Sequence, residues 1–349
     1  MRFIGNKEKL LDKIYQIMVD KNISGNSYFD FFAGTTSVSR FFKKKNYQVL
    51  SSDLLYFSFV LQKAYIANNQ KFDFEKVIKT VNFHSVSLFA TPLQIIVEYL
   101  NQIQHKEGFI YQNYTPASSE NRMYFSEENG LKIDAIRQQI EDWKTKKLIS
   151  ENEYFTLLAC LIETVPFYAN IAGIYAAFQK KWDPRAVKKL VLRPIEIVIN
   201  DKENFVFNVD STSLLDKVEA DIFYLDPPYN QRQYAPNYHL LETIAKYDNP
   251  KIKGITGLRT SYENEKSKFC NATTALQELK KIAEKGKFKT LILSYNNEGI
   301  MPQNEIIAIF EKIGKTELVE FDYTRFKSNS NGESKHKKFI KEQLYILRK

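Results

Sequence analysis

Four consecutive residues, Asp226-Pro227-Pro228-Tyr229, carry the sharpest chemical signal in the chain. They directly follow the apolar run Ile222-Phe223-Tyr224-Leu225, which places them at the carboxyl end of a strand, the edge where open α/β sheets bind ligands. Two successive prolines fix φ and offer no N–H, so their carbonyls are held in place to accept hydrogen bonds. Asp226 is an acceptor when ionised, and Tyr229 supplies a flat ring. Together they suit a planar group bearing an amine, which would donate to Asp226 and the Pro227 carbonyl while the ring stacks on Tyr229. A tight turn in which Asp226 caps and Tyr229 packs uses the same four residues. Placement after a buried strand favours the chemical reading.

A second signal is Asp30-Phe31-Phe32-Ala33-Gly34-Thr35-Thr36, between a strand and a helix. A turn of small residues lets the backbone approach a ligand, and the helix start offers free amides. It lacks the three glycines of a dinucleotide fingerprint, which argues against a pyrophosphate. Asp53 ends the next strand, where an acidic side chain can either grip ribose hydroxyls or cap a helix. A third signal, Asn208-Val209-Asp210-Ser211, closes a later strand; Asp210 suits a helix cap or a bond to the amino group of an adenine ring. Asp30, Asp53, Asp210 and Asp226 thus all fall at carboxyl ends of strands, a shared placement that four independent caps explain poorly.

The elements that must position these residues alternate. Residues 28–32, 48–52, 205–209, 222–225, 291–295, 318–323 and 343–347 read as strands. Helical patterns cover 7–19, 35–45, 211–218 and 273–285. Strands alternating with helices imply a mostly parallel, doubly wound α/β sheet. The last two strands have only a polar segment, 327–338, between them, and are expected to form an antiparallel hairpin. Between 69 and 204 the alternation stops; this stretch reads as a mostly helical inserted domain. Its apolar run 157–178 contains Glu163, Pro166 and Asn170 and reads as buried helix rather than a membrane span.

The composition narrows the classes. With 44% hydrophobic and 26% charged residues, a sizeable core is expected. A net charge of +9 favours a polyanionic partner. The two cysteines, Cys160 and Cys270, and the four histidines lie scattered, without zinc spacing, so neither a metal nor a disulfide framework is expected. The first residues have no apolar signal core, and a cytoplasmic, membrane-free setting is expected.

In this order, Arg2-Phe3-Ile4-Gly5-Asn6-Lys7, the Phe32-Ala33-Gly34 turn and Asp226-Pro227-Pro228-Tyr229 resemble the Dam-like, alpha-class N6-adenine-specific DNA methyltransferases. The run from Asn170 to Tyr175 is similar to type II modification methylases of this kind. Thr35-Thr36 departs from the pattern, since many members carry a second glycine soon after Gly34. The resemblance implies a seven-stranded S-adenosylmethionine-dependent methyltransferase sheet over 1–68 and 205–349, with a target-recognition domain inserted at 69–204. It implies that Phe32, Ala33, Gly34, Asp53 and Asp210 line the S-adenosylmethionine site, that Lys7 joins them, and that Asp30 holds the turn or meets the methionine ammonium. Asp226, Pro227, Pro228 and Tyr229 become the catalytic residues for methylation of adenine N6.

A base inside a duplex cannot reach such a pocket and must be flipped out. Asn230 and Arg232 are then placed to hold the flipped nucleotide's backbone, or to form a polar loop over the sheet edge. Lys253, Arg259, Lys335 and Lys337, in two basic segments, are candidates for phosphate contacts, whereas Lys43-Lys44-Lys45 reads as solvated surface. The expected partners are double-stranded DNA and a cognate restriction endonuclease, with no membrane and no metal. A methyltransferase acting on RNA or on cytosine N4 would keep the fold and change the substrate. A non-catalytic DNA-binding subunit would keep the basic charge and lose the reaction; the intact Asp226 to Tyr229 run argues against it.

Overall fold

In the computed structural model, which describes residues 5–81, 89–324 and 339–349, seven strands form one sheet: β1 (Ser27–Asp30), β2 (Gln48–Ser52), β3 (Phe205–Phe207), β4 (Ile222–Leu225), β5 (Thr290–Asn296), β6 (Lys315–Thr324) and β7 (Phe339–Arg348). Their order is β3-β2-β1-β4-β5-β7-β6. The first five run parallel, and β7 is antiparallel to both its neighbours, β5 and β6. The last strand therefore inserts between β5 and β6 instead of extending the edge.

Both faces of the sheet are covered, which is why β4 is apolar throughout and all four of its residues are buried. The period-2 alternation sorts its side chains. Phe29 and Phe31 join Phe223, Leu225, Leu291 and Leu293 on one face, packed with residues of the helices Ala272–Lys285 and Gln303–Glu311. On the other face Tyr28 stacks on Phe42 of the helix Ser37–Lys44, ring centroids 3.8 Å apart, and meets Tyr224 at 5.8 Å. The helix expected over 211–218 is a single 3₁₀ turn, Ser211–Leu214, capped by Asp210. The strand expected over 205–209 stops at Phe207, because the Asn208 side chain turns to the carbonyls of Asp53 and Leu54.

The chain divides into two units. The sheet unit comprises Ile4–Gln62, Val198–Tyr234 and Glu265–Lys349, and the other gathers Lys63–Ile197 with Ala235–Asn264. The second unit therefore holds not only most of the 69–204 stretch but also a segment from beyond β4 that the sequence reading left with the sheet. It is built on helices such as Pro92–Gln102, Glu127–Thr145 and Glu151–Thr164. Ser150 opens the last of these with a reciprocal capping box to Glu153. The helix ends at Thr164, ahead of Pro166, so the buried helix expected to reach residue 178 is cut short by the missing N–H.

The irregular stretch that follows is held by buried amides. Asn170 donates to the carbonyls of Met123 and Gln179, both at 3.0 Å, and accepts the Asp183 amide at 2.8 Å. Asn129 likewise holds Ala186, Lys188 and Leu190. Among the described residues no helix is long and apolar enough to cross a membrane.

Candidate active site

The carboxyl edge of the sheet unit collects the predicted residues. After β1, the Phe31 amide still pairs with the Tyr224 carbonyl and the Ala33 amide with the Ser52 carbonyl, so the turn leaves the sheet in a fixed direction. Gly34 then takes a left-handed φ of +48°, and its amide donates to Asp53 Oδ2 at 2.8 Å. Asp53 Oδ1 accepts the Leu55 amide at 2.9 Å, so this carboxylate bridges the loops that follow β1 and β2. Burial holds Asp53 above the ordinary carboxylate value, against the pull of those amides. Thr36 is also left-handed, at φ +61°, a costly conformation for a β-branched residue. The Thr35-Thr36 pair, read from the sequence as the departure from the expected pattern, thus includes a position that a glycine would occupy without strain.

Asp30 is buried beneath this turn. It accepts the Ser39 hydroxyl at 2.6 Å and faces the Phe32 amide at 3.4 Å, so it fastens the turn to the helix behind it. Burial pushes its carboxyl up to about 7, with the Ser39 and Phe32 bonds opposing. Phe32 stays half-buried, edge-on to Phe269 at 5.1 Å, and Ala33 is buried. Asp210 Oδ1 accepts the amide and hydroxyl of Thr212, at 2.9 and 2.8 Å, leaving Oδ2 outside those bonds.

The Asp226 to Tyr229 turn lies at a cluster of three residues from elsewhere in the chain. The Lys7 ammonium lies 2.5 Å from Glu342 Oε1 and 3.4 Å from Asp226 Oδ1, and it donates to the Tyr229 hydroxyl. Tyr229 in turn donates to Asp226 Oδ1 at 2.7 Å and lies 3.2 Å from Glu342. Ser294, on β5, donates to Glu342 Oε1 at 2.9 Å. Lys7 and Glu342 are almost wholly buried, whereas Asp226 and Tyr229 are half-buried. Burial raises the Asp226 carboxyl to about 6, a shift that Lys7 and the Tyr229 bond oppose and Glu342 reinforces. Burial alone would lower the Lys7 ammonium, but Asp226 and Glu342 outweigh it and hold Lys7 above the ordinary lysine value.

The residues that sequence reasoning missed are chiefly Glu342 and Ser294, while Asn6 stood in the N-terminal motif without a role of its own. Asn6 accepts both the Glu8 amide at 2.8 Å and the Ser37 hydroxyl at 3.0 Å, tying the N-terminal motif to the helix after the Gly34 turn. Glu342 did leave a trace: two places before Leu344 and four before Ile346, it stands in register with buried apolar positions of the same strand. Lys7, by contrast, reads as the solvated first turn of a helix on composition alone.

The candidates for phosphate contacts separate. Asn230 and Arg232 are exposed beside the Asp226 to Tyr229 turn, with Asn230 accepting the Arg232 amide at 2.9 Å. Lys253 is exposed in the helical unit, 5.5 Å from the Tyr262 ring. Arg259 is buried, and its guanidinium forms a two-point fork on Asp248, both contacts at 2.8 Å, so it serves the interior of its unit rather than offering a surface charge. Lys335 and Lys337 lie outside the described residues. Lys43, expected at the solvated surface, is buried, and desolvation lowers its ammonium to about 7; only Lys44 and Lys45 of that run are exposed.

Five parallel strands extended by an antiparallel pair, with Asp-Pro-Pro-Tyr at the carboxyl end of the middle strand, define a methyltransferase of the S-adenosylmethionine-dependent fold. The chain belongs to the D12 class N6 adenine-specific DNA methyltransferases, whose family model matches residues 3–309. It is similar to the type II methyltransferase M.FokI of Planomicrobium okeanokoites, 41% identical over all of this chain and 53% of that protein. It is 39% identical to the type II methyltransferase M.NlaIII of Neisseria lactamica, over all of this chain and 99% of that protein. The modification methylase StsI of Streptococcus sanguinis is 39% identical over all of this chain and 52% of its own length. The chain thus spans about half of M.FokI and StsI and nearly the whole of M.NlaIII.

Proposed function

We propose that the protein transfers a methyl group from S-adenosylmethionine to N6 of a flipped-out adenine at a specific site in double-stranded DNA. The observation that carries this reading is Asp226: a half-buried carboxylate on the β4 edge, next to a buried ammonium, on the same sheet edge as the Gly34 turn. The residues at that turn suit the cofactor. Gly34 lacks a Cβ, Asp53 sits beside it as a carboxylate bonded to the Gly34 and Leu55 amides, Asp210 Oδ2 stands outside its cap, and Phe32 brings a half-buried ring. When bound there, S-adenosylmethionine supplies an electrophilic sulfonium methyl.

The adenine amine is a weak nucleophile because its lone pair is delocalised into the ring. Asp226 and the Pro227 carbonyl accept its two N–H groups, which favours a pyramidal nitrogen with an available lone pair. As the nitrogen becomes cationic, the Asp226 charge stabilises it, and Asp226 or water takes the proton afterwards. Tyr229 exchanges its bond to Asp226 for the amine, and its ring stacks on the base, a contact worth about 1–3 kcal/mol in single-strand binders. Asn230 and Arg232 then hold the backbone of the extruded nucleotide. The helical unit reads the bases of the site. The relatives' names support a role in restriction–modification, with a cognate endonuclease as partner in the cytosol.

The test uses purified protein, tritiated S-adenosylmethionine and unmethylated genomic DNA, with RNA in parallel and Asp226→Ala as control. Label recovered as N6-methyladenine in DNA, and lost with Asp226→Ala, is expected. Label in RNA or as N4-methylcytosine, or DNA binding without transfer, would overturn the proposal.

A further inference from the structure

Glu342 lies on β7, opposite Asn296 of β5, and its carboxylate is almost wholly removed from water. It falls beyond residue 309, where the family match ends. A buried charge persists only when it is paired and hydrogen-bonded. Here three groups converge on Oε1: the Lys7 ammonium, the Ser294 hydroxyl and, at the longest distance, the Tyr229 hydroxyl. The ammonium sits nearer Glu342, at 2.5 Å, than Asp226, at 3.4 Å. One cation between two carboxylates leaves the cluster with a net charge of about −1 when all three are ionised.

We propose that Glu342 is a positioning residue for methyl transfer: it holds the Lys7 ammonium back from Asp226, so that Asp226 keeps the negative charge and the lone pairs that the target amine requires. This rests on Asp226 as the amine's acceptor. Were Glu342 neutral, Lys7 would close onto Asp226 as a full ion pair. The ammonium would then occupy the acceptor oxygen and cancel the charge meant for the developing cation. Tyr229 would also lose one of the two carboxylates that orient its hydroxyl. Glu342 touches neither amine nor methyl; it acts through Lys7.

Glu342→Gln keeps the shape and removes the charge. Measured with tritiated S-adenosylmethionine on unmethylated DNA, kcat is expected to fall about tenfold, a barrier change of about 1.4 kcal/mol, with both KM values within a few-fold. The acidic limb of the kcat/KM profile is expected to move down by about one pH unit, because Asp226 loses a like charge and gains a closer cation. Adding Lys7→Met to Glu342→Gln removes the intruding ammonium and is expected to recover part of kcat. Should Glu342→Gln fail to fold, Glu342→Asp, which keeps the charge but draws it back by one methylene, is expected to shift kcat and the limb in the same directions by less.

A wild-type kcat and pH profile in Glu342→Gln would overturn the proposal. So would a loss of activity with no shift of the limb and no recovery in the double variant, which marks a merely structural carboxylate. Asp226→Ala in parallel separates the two levels: if it stays active, the acceptor reading itself fails, and if it is inactive while Glu342→Gln is normal, only the positioning role falls.

Discussion

Both units bury charged groups, and one set in each is satisfied differently. In the helical unit the partners include backbone. Arg137 donates to the carbonyls of Ile244 and Ala245, and Arg122 to those of Ile255, Gly254 and Asn113. Asp134 accepts the amides of Ile110 and Tyr111 and the Tyr247 hydroxyl. In the sheet unit, the Lys7, Asp226, Tyr229 and Glu342 side chains bond to one another and to Ser294. Backbone partners cannot be exchanged without unfolding an element, so Arg137, Arg122 and Asp134 are locked. Side-chain partners can be exchanged by a rotation, and a surplus carboxylate leaves the cluster able to take a new donor. Burial of charge alone therefore does not mark a catalytic site; the proposed one combines burial with exchangeable partners and an unbalanced charge.

The comparison breaks most visibly at Asp226. Asp226→Ala is expected to lower kcat by about 10³-fold or more, the scale of losing a group aimed at developing charge. Thermal unfolding should stay within a few degrees of wild type; a large fall in Tm would place Asp226 with the locked charges instead. Asn170→Ala tests the other side. It removes the three side-chain bonds that hold the stretch after Thr164, and is expected to cost about 2–4 kcal/mol in chemical denaturation. A loss below 1 kcal/mol would show that backbone anchoring of that stretch is dispensable.

The pH dependence sharpens the contrast. With the Asp226 carboxyl raised to about 6, kcat/KM is expected to fall as the pH drops below about 6, since only the ionised form accepts the amine. Stability should respond in the opposite sense. A carboxyl whose folded value lies above its ordinary 3.8 binds its proton first in the folded state, so falling pH between about 6 and 3.8 adds stability at this site. Asp134, also raised to about 6 by burial, contributes with the same sign and without any catalytic consequence. Parallel activity and denaturation profiles check this, and a joint decline across that window would contradict it.

The smallest expected effect concerns Thr36. Replacing it with glycine relieves a left-handed conformation costing about 1–2 kcal/mol for a residue with a Cβ, but adds freedom to the unfolded chain. It also deletes the hydroxyl bond to the Thr35 carbonyl. Thr36→Gly is expected to stabilise the protein by less than about 1 kcal/mol, read from denaturant midpoints. A loss of more than that would show that the hydroxyl, not the backbone, holds the turn.

Much of the sheet was legible. Strands β2 and β4 fall on the residues expected, because each is a short run bounded by turn signals. The antiparallel pair followed from the absence of a helix between two strand patterns. The place of the Asp226 turn was legible for a related reason: an apolar run followed by two prolines marks where a strand ends. Such features depend on neighbours a few residues apart, and those neighbours are written in order.

The rest depended on which distant segments meet. Nothing local distinguishes Arg259, forked on Asp248, from an exposed arginine, nor marks Lys43 as buried. The placement of β7 between β5 and β6 brings Glu342 beside Ser294, and the start of the chain brings Lys7 between Glu342 and Asp226. By itself the sequence determined most of the strands and the carboxylates at the sheet edge, because short-range sterics and hydrogen bonding decide those. Tertiary structure alone decided how the charges pair, because an ion pair forms wherever the packing of the whole chain leaves two groups together out of water.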